Sequence, residues 1–247
     1  MNFNQSTCAL IILYGVLLPK SAIATEISSF VFYEQPDQRL VLDGVSVKYK
    51  VAAAGIESRW LNNLGELAIR VGVGYNPDES ATYSGIKMSG PVQATYASGE
   101  ISTHPYDLYI ASPVLSLKTE YFDFHSNDLT GAYGNDNVTG TVAGTLINSS
   151  VSGRVEYTVA EKNSFGLEAG YDFWQYQFDS EGVIRRPNLT ARSQKTAKTT
   201  SIDPFISFKL ATEIFGFPLQ GFYKVKKLSN VSSTKVERIG LSLQLKF

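Results

Sequence analysis

The sequence predicts an all-β fold, a single antiparallel up-and-down transmembrane β-barrel, and three observations predict it. The first is the end of the chain, Leu241-Ser242-Leu243-Gln244-Leu245-Lys246-Phe247, which alternates apolar and polar without a break. On a strand, successive side chains point to opposite faces, so Leu241, Leu243, Leu245 and Phe247 form an apolar face and Ser242, Gln244 and Lys246 a polar one. Such a strand suits lipid on one side and water on the other. The second is the start of the chain, where residues 9–18 (ALIILYGVLL) are an apolar run followed by Pro19 and Ala22-Ile23-Ala24. An apolar core and a small-x-small site make a secretory signal, expected to be cut after Ala24, which divides the chain into a signal peptide (1–24) and one barrel domain (25–247). The run is too short for a bilayer of roughly 30 Å, which takes about 20 residues, although Met1 to Thr7 lack the usual Lys or Arg. The third is composition: 14 Tyr and 14 Phe, a formal net charge of −1 and no later stretch of continuous apolar sequence long enough for a membrane helix. The balanced charge gives nucleic acid no basic face to bind. Cys8, the single cysteine, lies in the segment expected to be removed, so closure is expected from strand pairing rather than from a disulfide.

Ten strands follow in order: 27–33, 40–56, 64–75, 85–102, 106–124, 138–160, 164–178, 201–213, 219–228 and 234–247. Each carries a stretch of period-two alternation, the first being the weakest. Pro91 and Pro113 have no backbone N–H to donate and are expected at a bulge or a strand end. The connections 161–163 and 214–218 are tight, whereas 76–84, 125–137 and 179–200 are long and rich in Gly, Asn, Asp and Ser. Outer-membrane barrels have short periplasmic turns and long external loops, so the long segments are expected outside and both termini inside. Eight strands is the alternative, reached if the first hairpin is only an N-terminal extension. Either count falls well short of the roughly 16 strands an open diffusion porin needs.

Alternation assigns the two faces. Val45, Val47, Tyr49 and Val51; Leu67, Ile69, Val71, Val73 and Tyr75; Phe165, Leu167, Ala169, Tyr171 and Phe173; and Ile206, Phe208 and Leu210 read as the lipid surface, with Tyr75, Tyr157, Tyr171, Tyr223 and Phe247 toward strand ends as aromatic girdles. The opposite face carries Lys48, Glu66, Arg70, Lys118, Glu120, Arg154, Glu156, Glu168, Asp172, Lys209 and Arg238, with Lys224 and Lys226. Burying such charges singly costs several kcal/mol per ion, so they are expected to pair with each other in a plugged or narrowly wet lumen. Gly72 and Gly74 on this face suggest close packing inside the barrel.

Candidate chemistry is sparse. His125, in Phe122-Asp123-Phe124-His125-Ser126-Asn127-Asp128, is the one weak candidate for catalysis, because an acid or a serine beside a histidine can move a proton or activate a nucleophile. His104 reads as a turn residue, no metal-ligand spacing exists and no cofactor is expected. Arg185, Arg186, Arg192, Lys195 and Lys198 make the segment 179–200 basic, and at the outer surface they would meet lipopolysaccharide phosphates, with which Arg pairs well.

The 241–247 terminus, the strand 219–226 and the hairpin 164–178, with a signal in front, together resemble the small bacterial outer-membrane β-barrel proteins, the superfamily of the outer-membrane-protein-A-like barrels. The resemblance implies a bacterial outer-membrane location, a terminal aromatic read by the barrel assembly machinery, and surroundings of outer-membrane lipid and lipopolysaccharide. A monomer is expected, acting in envelope integrity or surface interaction through its external loops rather than in catalysis. The alternatives are a narrow channel for ions or small solutes and a lipid- or peptide-directed hydrolase using His125.

Overall fold

Strand alternation is realised as one continuous sheet that closes on itself. The computed structural model describes residues 23–42, 45–50, 52–62, 65–83, 86–103, 112–160, 162–186, 189–227 and 235–245. Their strands are β1 (Ile23–Leu42), β2 (Val45–Lys50), β3 (Ala52–Asn62), β4 (Gly65–Tyr83), β5 (Ile86–Thr103), β6 (Ser112–Tyr133), β7 (Asp136–Ala160), β8 (Asn163–Arg186), β9 (Leu189–Ile214), β10 (Phe217–Lys227) and β11 (Lys235–Leu245). β2 and β3 both pair antiparallel with β1 and follow each other along it, so eleven segments make ten strands. β1 also pairs with β11, from Ser29 opposite Leu245 to Asp37 opposite Glu237, and this closes the barrel. Ten is therefore the count, and the eight-stranded alternative falls.

The strand boundaries differ from the sequence reading in two regions. The expected second strand, 40–56, crosses a connection: β1 runs unbroken to Leu42, and β2 starts again at Val45 after Asp43-Gly44, a dipeptide that two-residue hairpins favour. Pro36 suggests a break, but it takes one donor from a long ladder and sits opposite Arg238 in the β1–β11 pairing. The larger difference is outside. The segments 76–84, 125–137 and 179–200, expected as loops, are strand almost throughout, because β4, β6 and β8 run on to Tyr83, Tyr133 and Arg186 and β7 and β9 begin at Asp136 and Leu189. Above the lipid the outer face meets water, so the apolar half of the alternation survives only inside, where Leu129, Val138 and Val142 are buried. Register shifts between Ser89 and Gln93 and between Ser126 and Leu129 interrupt the long ladders, with Pro91 at the first, while Pro113 is the second residue of β6.

Where its side chains are described the lipid face matches expectation, those of Val45, Val47, Tyr49 and Val51 lying outside the described residues. Val71, Val73 and Tyr75, Leu115 and Leu117, Phe165, Leu167, Tyr171 and Phe173, and Ile206, Phe208 and Leu210 are large apolar side chains exposed around the outside. Val71, central on β4, faces Ala97, and Ala97 faces Tyr121 at the outer end of the β6 stretch, so the belt crosses successive strands at an angle, as tilted barrel strands require. The side chains of Lys48, Arg238, Arg185, Arg186, Leu245 and Phe247 lie outside the described residues, as do His104 and the whole of 1–22.

Candidate functional site

The lumen is divided into two halves of opposite chemistry. Toward the end that holds both termini, opposite the long strand extensions and so the periplasmic end in barrels of this type, the inward face is ionic. Glu57, fully buried, accepts hydrogen bonds from Arg59 Nε at 2.5 Å and from Arg70 Nε. Arg59 also bridges Glu66 at 2.9 Å and donates to Gln220 at 2.6 Å. Across the barrel, Lys118 pairs with Glu120 at 2.8 Å, Arg154 with Glu156 at 2.6 Å, and Lys209 with Glu168 at 2.9 Å. Asp172 takes both Lys224, at 2.8 Å, and Lys226, at 3.0 Å. Asp203 stands directly opposite Asp172 on the next strand, and both are fully buried. Like charges in that position repel, and the relief comes from the two lysines on Asp172 and from Trp174 Nε1 and Ser201 Oγ, which donate to Asp203. Each lumen charge expected from the sequence whose side chain is described thus has an opposite partner.

A cavity of about 260 Å³ opens at this end, lined by Arg59, Glu66, Arg70, Glu100, Arg154, Glu156 and Lys209 with Phe32 and Phe222. A smaller one, sharing Arg70, Glu100, Lys209 and Phe222, continues as deep as Lys224. There the ionic zone stops. The ammonium of Lys224 lies 3.6 Å from the centre of the Phe205 ring, and that of Lys226 lies 5.8 Å from the Trp174 ring. Such contacts give a desolvated cation a partial substitute for water.

The outer half of the lumen is apolar. Met88, Val92, Tyr96, Phe122, Phe124, Leu129, Val138, Val142, Trp174, Tyr176 and Phe178 form one buried cluster inside the wall, which Phe32 joins from the ionic side. Phe124 and Tyr176 stack with centroids 6.1 Å apart, and Tyr176 meets Phe178 at 5.8 Å. The Phe124 ring lies over Gly144, where an added Cβ would stand 2.4 Å from Cζ. Gly72 makes a similar niche for Phe32, in line with the packing role the sequence suggested. The junction between the halves is polar: Tyr96 OH and Asn148 Nδ2 donate to Glu120 at 3.0 and 3.1 Å. The sequence reading expected paired charges in a plugged or narrowly wet lumen; the apolar layer is an addition to it, made because the strand register turns Trp174, Tyr176 and Phe178 inward.

His125 is neither in this lumen nor in a loop. It lies on β6, exposed on the outer wall opposite Gln93 and Ala143, with Asp123 on the same face and Phe124 between them pointing inward. Above the belt the outer wall carries the polar row Thr95, Asp123, Thr145, Gln177 and Lys198. Of the basic residues, Arg192 and Lys198 are exposed and Lys195 is half-buried, while Arg185 and Arg186 occupy the last rungs of β8, opposite Thr190 and Leu189. Among the described residues no group of three or more His, Cys, Asp or Glu side chains is placed to hold a metal.

No protein-family model and no curated protein matches the sequence. Solved structures do match. The translocator domain of the autotransporter NalP from Neisseria meningitidis is 11% identical over 98% of this chain and 95% of that one, with a TM-score of 0.58. The outer membrane protease OmpT from Escherichia coli is 9% identical over 92% and 97%, with a TM-score of 0.52. The fold is that of the bacterial outer-membrane β-barrels. At such identities the likeness is one of architecture, and with the apolar belt around the wall it places the chain in the outer membrane.

The sequence reading of this outer-membrane barrel missed Glu57, Arg59, Glu100 and Asp203 on its inner face. The expected strand 40–56 hid the first two: with Val45, Val47, Tyr49 and Val51 outward, its alternation sends Glu57 and Arg59 outward too. The strand instead breaks between β2 and β3, and Ala53 and Glu57 are buried while Ile56 is exposed. Glu100 and Asp203 sit at inward positions of strands that were recognised, and parity alone finds them.

Proposed function

We propose that this outer-membrane barrel is a closed wall rather than a channel, and that it works at the cell surface, in envelope integrity or surface interaction, through the strands that rise above the lipid belt. The observation that carries this reading is the apolar cluster around Phe124, Tyr176 and Phe178, each 1% exposed or less, across the outer half of the lumen. Ions entering from the periplasm meet paired charges and then a dry aromatic layer, which offers no replacement for their hydration. Single-channel recording in planar bilayers tests it. The wild-type barrel is expected to give no discrete steps, and a triple variant Phe124→Ala, Tyr176→Ala, Phe178→Ala is expected to conduct. Discrete steps from the wild type would favour the narrow channel instead, a reading supported by the cavity that leads from the periplasmic end to Lys224.

Lipopolysaccharide is the surface partner we favour, with Arg185, Arg186, Arg192, Lys195 and Lys198 of the β8–β9 hairpin meeting its phosphates. Charge-assisted contacts of this kind weaken with salt. Replacing all five with Gln should lower lipopolysaccharide binding several-fold and flatten its salt dependence, and unchanged binding would remove the idea. We favour a hydrolase centred on His125 least: on the outer wall beside Asp123 it would meet lipid rather than a peptide in the lumen. Monomeric behaviour, and delivery to the assembly machinery through β11 and Phe247, complete the proposal.

A further inference from the structure

The turn between β9 and β10 combines backbone strain with full exposure. Phe215 and Gly216 have φ of 52° and 83°, the pattern of a two-residue type I′ hairpin. Asn, Asp and Gly ordinarily fill such positions, because a larger side chain crowds the neighbouring carbonyl there. Phe215 is the one non-glycine residue with positive φ among the described residues, and it is 96% exposed. Nothing among the described residues rewards the ring for the conformation. Its flanks are apolar as well: Ile214 and Phe217 face each other across the last rung, 44% and 42% exposed. Both lie on the outward face, in the same column as Ile206, Phe208 and Leu210 of the lipid belt, with Thr212 between. The belt descends across β9, β10 and β11, where Leu219 pairs with Leu243 and Gly221 with Leu241, so this hairpin end sits at its lower margin. The neighbouring tight turn, joining β7 to β8, is charged instead, with Lys162 bridging to Glu213 at 2.8 Å.

We propose that the Ile214–Phe217 hairpin tip is a lipid-seated foot: the Phe215 ring rests in the periplasmic leaflet, at the headgroup boundary, and holds the barrel's depth on the β9–β10 side. The occupant is lipid because the tip continues an established lipid surface, and an aromatic ring at that boundary is the side chain outer-membrane barrels use in their girdles. The ring's seat in the leaflet compensates for a backbone conformation that glycine or asparagine would adopt more easily.

The test uses the full chain with Cys8→Ser, reconstituted in phosphatidylethanolamine–phosphatidylglycerol vesicles, with a nitroxide label at Phe215→Cys and, as a control, at Lys162→Cys. Accessibility to oxygen, which concentrates in lipid, is compared with accessibility to a water-soluble nickel chelate. Oxygen should dominate at 215 and the chelate at 162; chelate dominance at both positions would overturn the proposal. Because the label replaces the ring, Phe215→Asn is measured alongside, in the same vesicles, by urea unfolding. Asparagine tolerates the left-handed backbone, so with the ring in water the variant would be as stable as the wild type or more so, and that result overturns the lipid seat. A lower urea midpoint is the expected outcome.

Discussion

Glu57 holds two guanidinium groups on one fully buried carboxylate, and this arrangement shows how the ionic half of the lumen is built. The attraction between buried charges does little more than offset their dehydration, so the pairs add modest stability when complete and cost a great deal when broken. Glu57→Gln keeps the shape and removes the charge, leaving Arg59 and Arg70 facing each other. The expected result is a loss of about 3 kcal/mol in urea unfolding from vesicles. The residue was hidden in the sequence because one strand was drawn through 40–56, whose outward set of Val45, Val47, Tyr49 and Val51 puts Glu57 on the lipid side, where the strand in fact breaks between β2 and β3. Glu168 and Asp172 were legible at once, because they alternate with Leu167, Ala169, Tyr171 and Phe173 on an unmistakable lipid-facing strand.

At the scale of strands, the glycine opposite an aromatic ring is the recurring joint. Gly144 on β7 lies beside Phe124 on β6, and the two residues are directly paired. Gly144→Val would force its Cβ into the ring and should cost roughly 2 kcal/mol through overpacking, read as a lower temperature for loss of heat-modifiable migration on gels. Gly99→Val is the control, since a Cβ there meets nothing within 4 Å. Strand existence was readable wherever lipid enforced alternation. It was not readable above the belt, where Gly, Ser, Asn and Thr face water outside and the inward positions hold small residues among a few apolar ones. Turn chemistry carried information that went unused, as Asp43-Gly44 inside the expected strand 40–56 illustrates.

For the whole molecule, the count of alternating segments gave ten strands with eight as the alternative, and closure through β1 and β11 decides for ten. The split of the lumen was less legible. Trp174, Tyr176 and Phe178 alternate with Phe173, Gln175 and Gln177, and only the continuous register from the lipid-facing Phe165 decides which set points in. Aromatic residues in a membrane strand suggest girdles first, so an inward aromatic column is easily assigned to the wrong side.

The outward projections are hydrogen-bonded sheet, β8 and β9 pairing rung by rung from Ser164 opposite Ala211 to Arg186 opposite Leu189. A flexible loop loses roughly 1–2 kcal/mol per residue of backbone entropy when a partner orders it, whereas these strands are ordered before anything arrives. Their contact groups come from neighbouring strands held side by side, so an antibody raised against the folded barrel would recognise an assembled epitope and lose it on a peptide cut from any single strand.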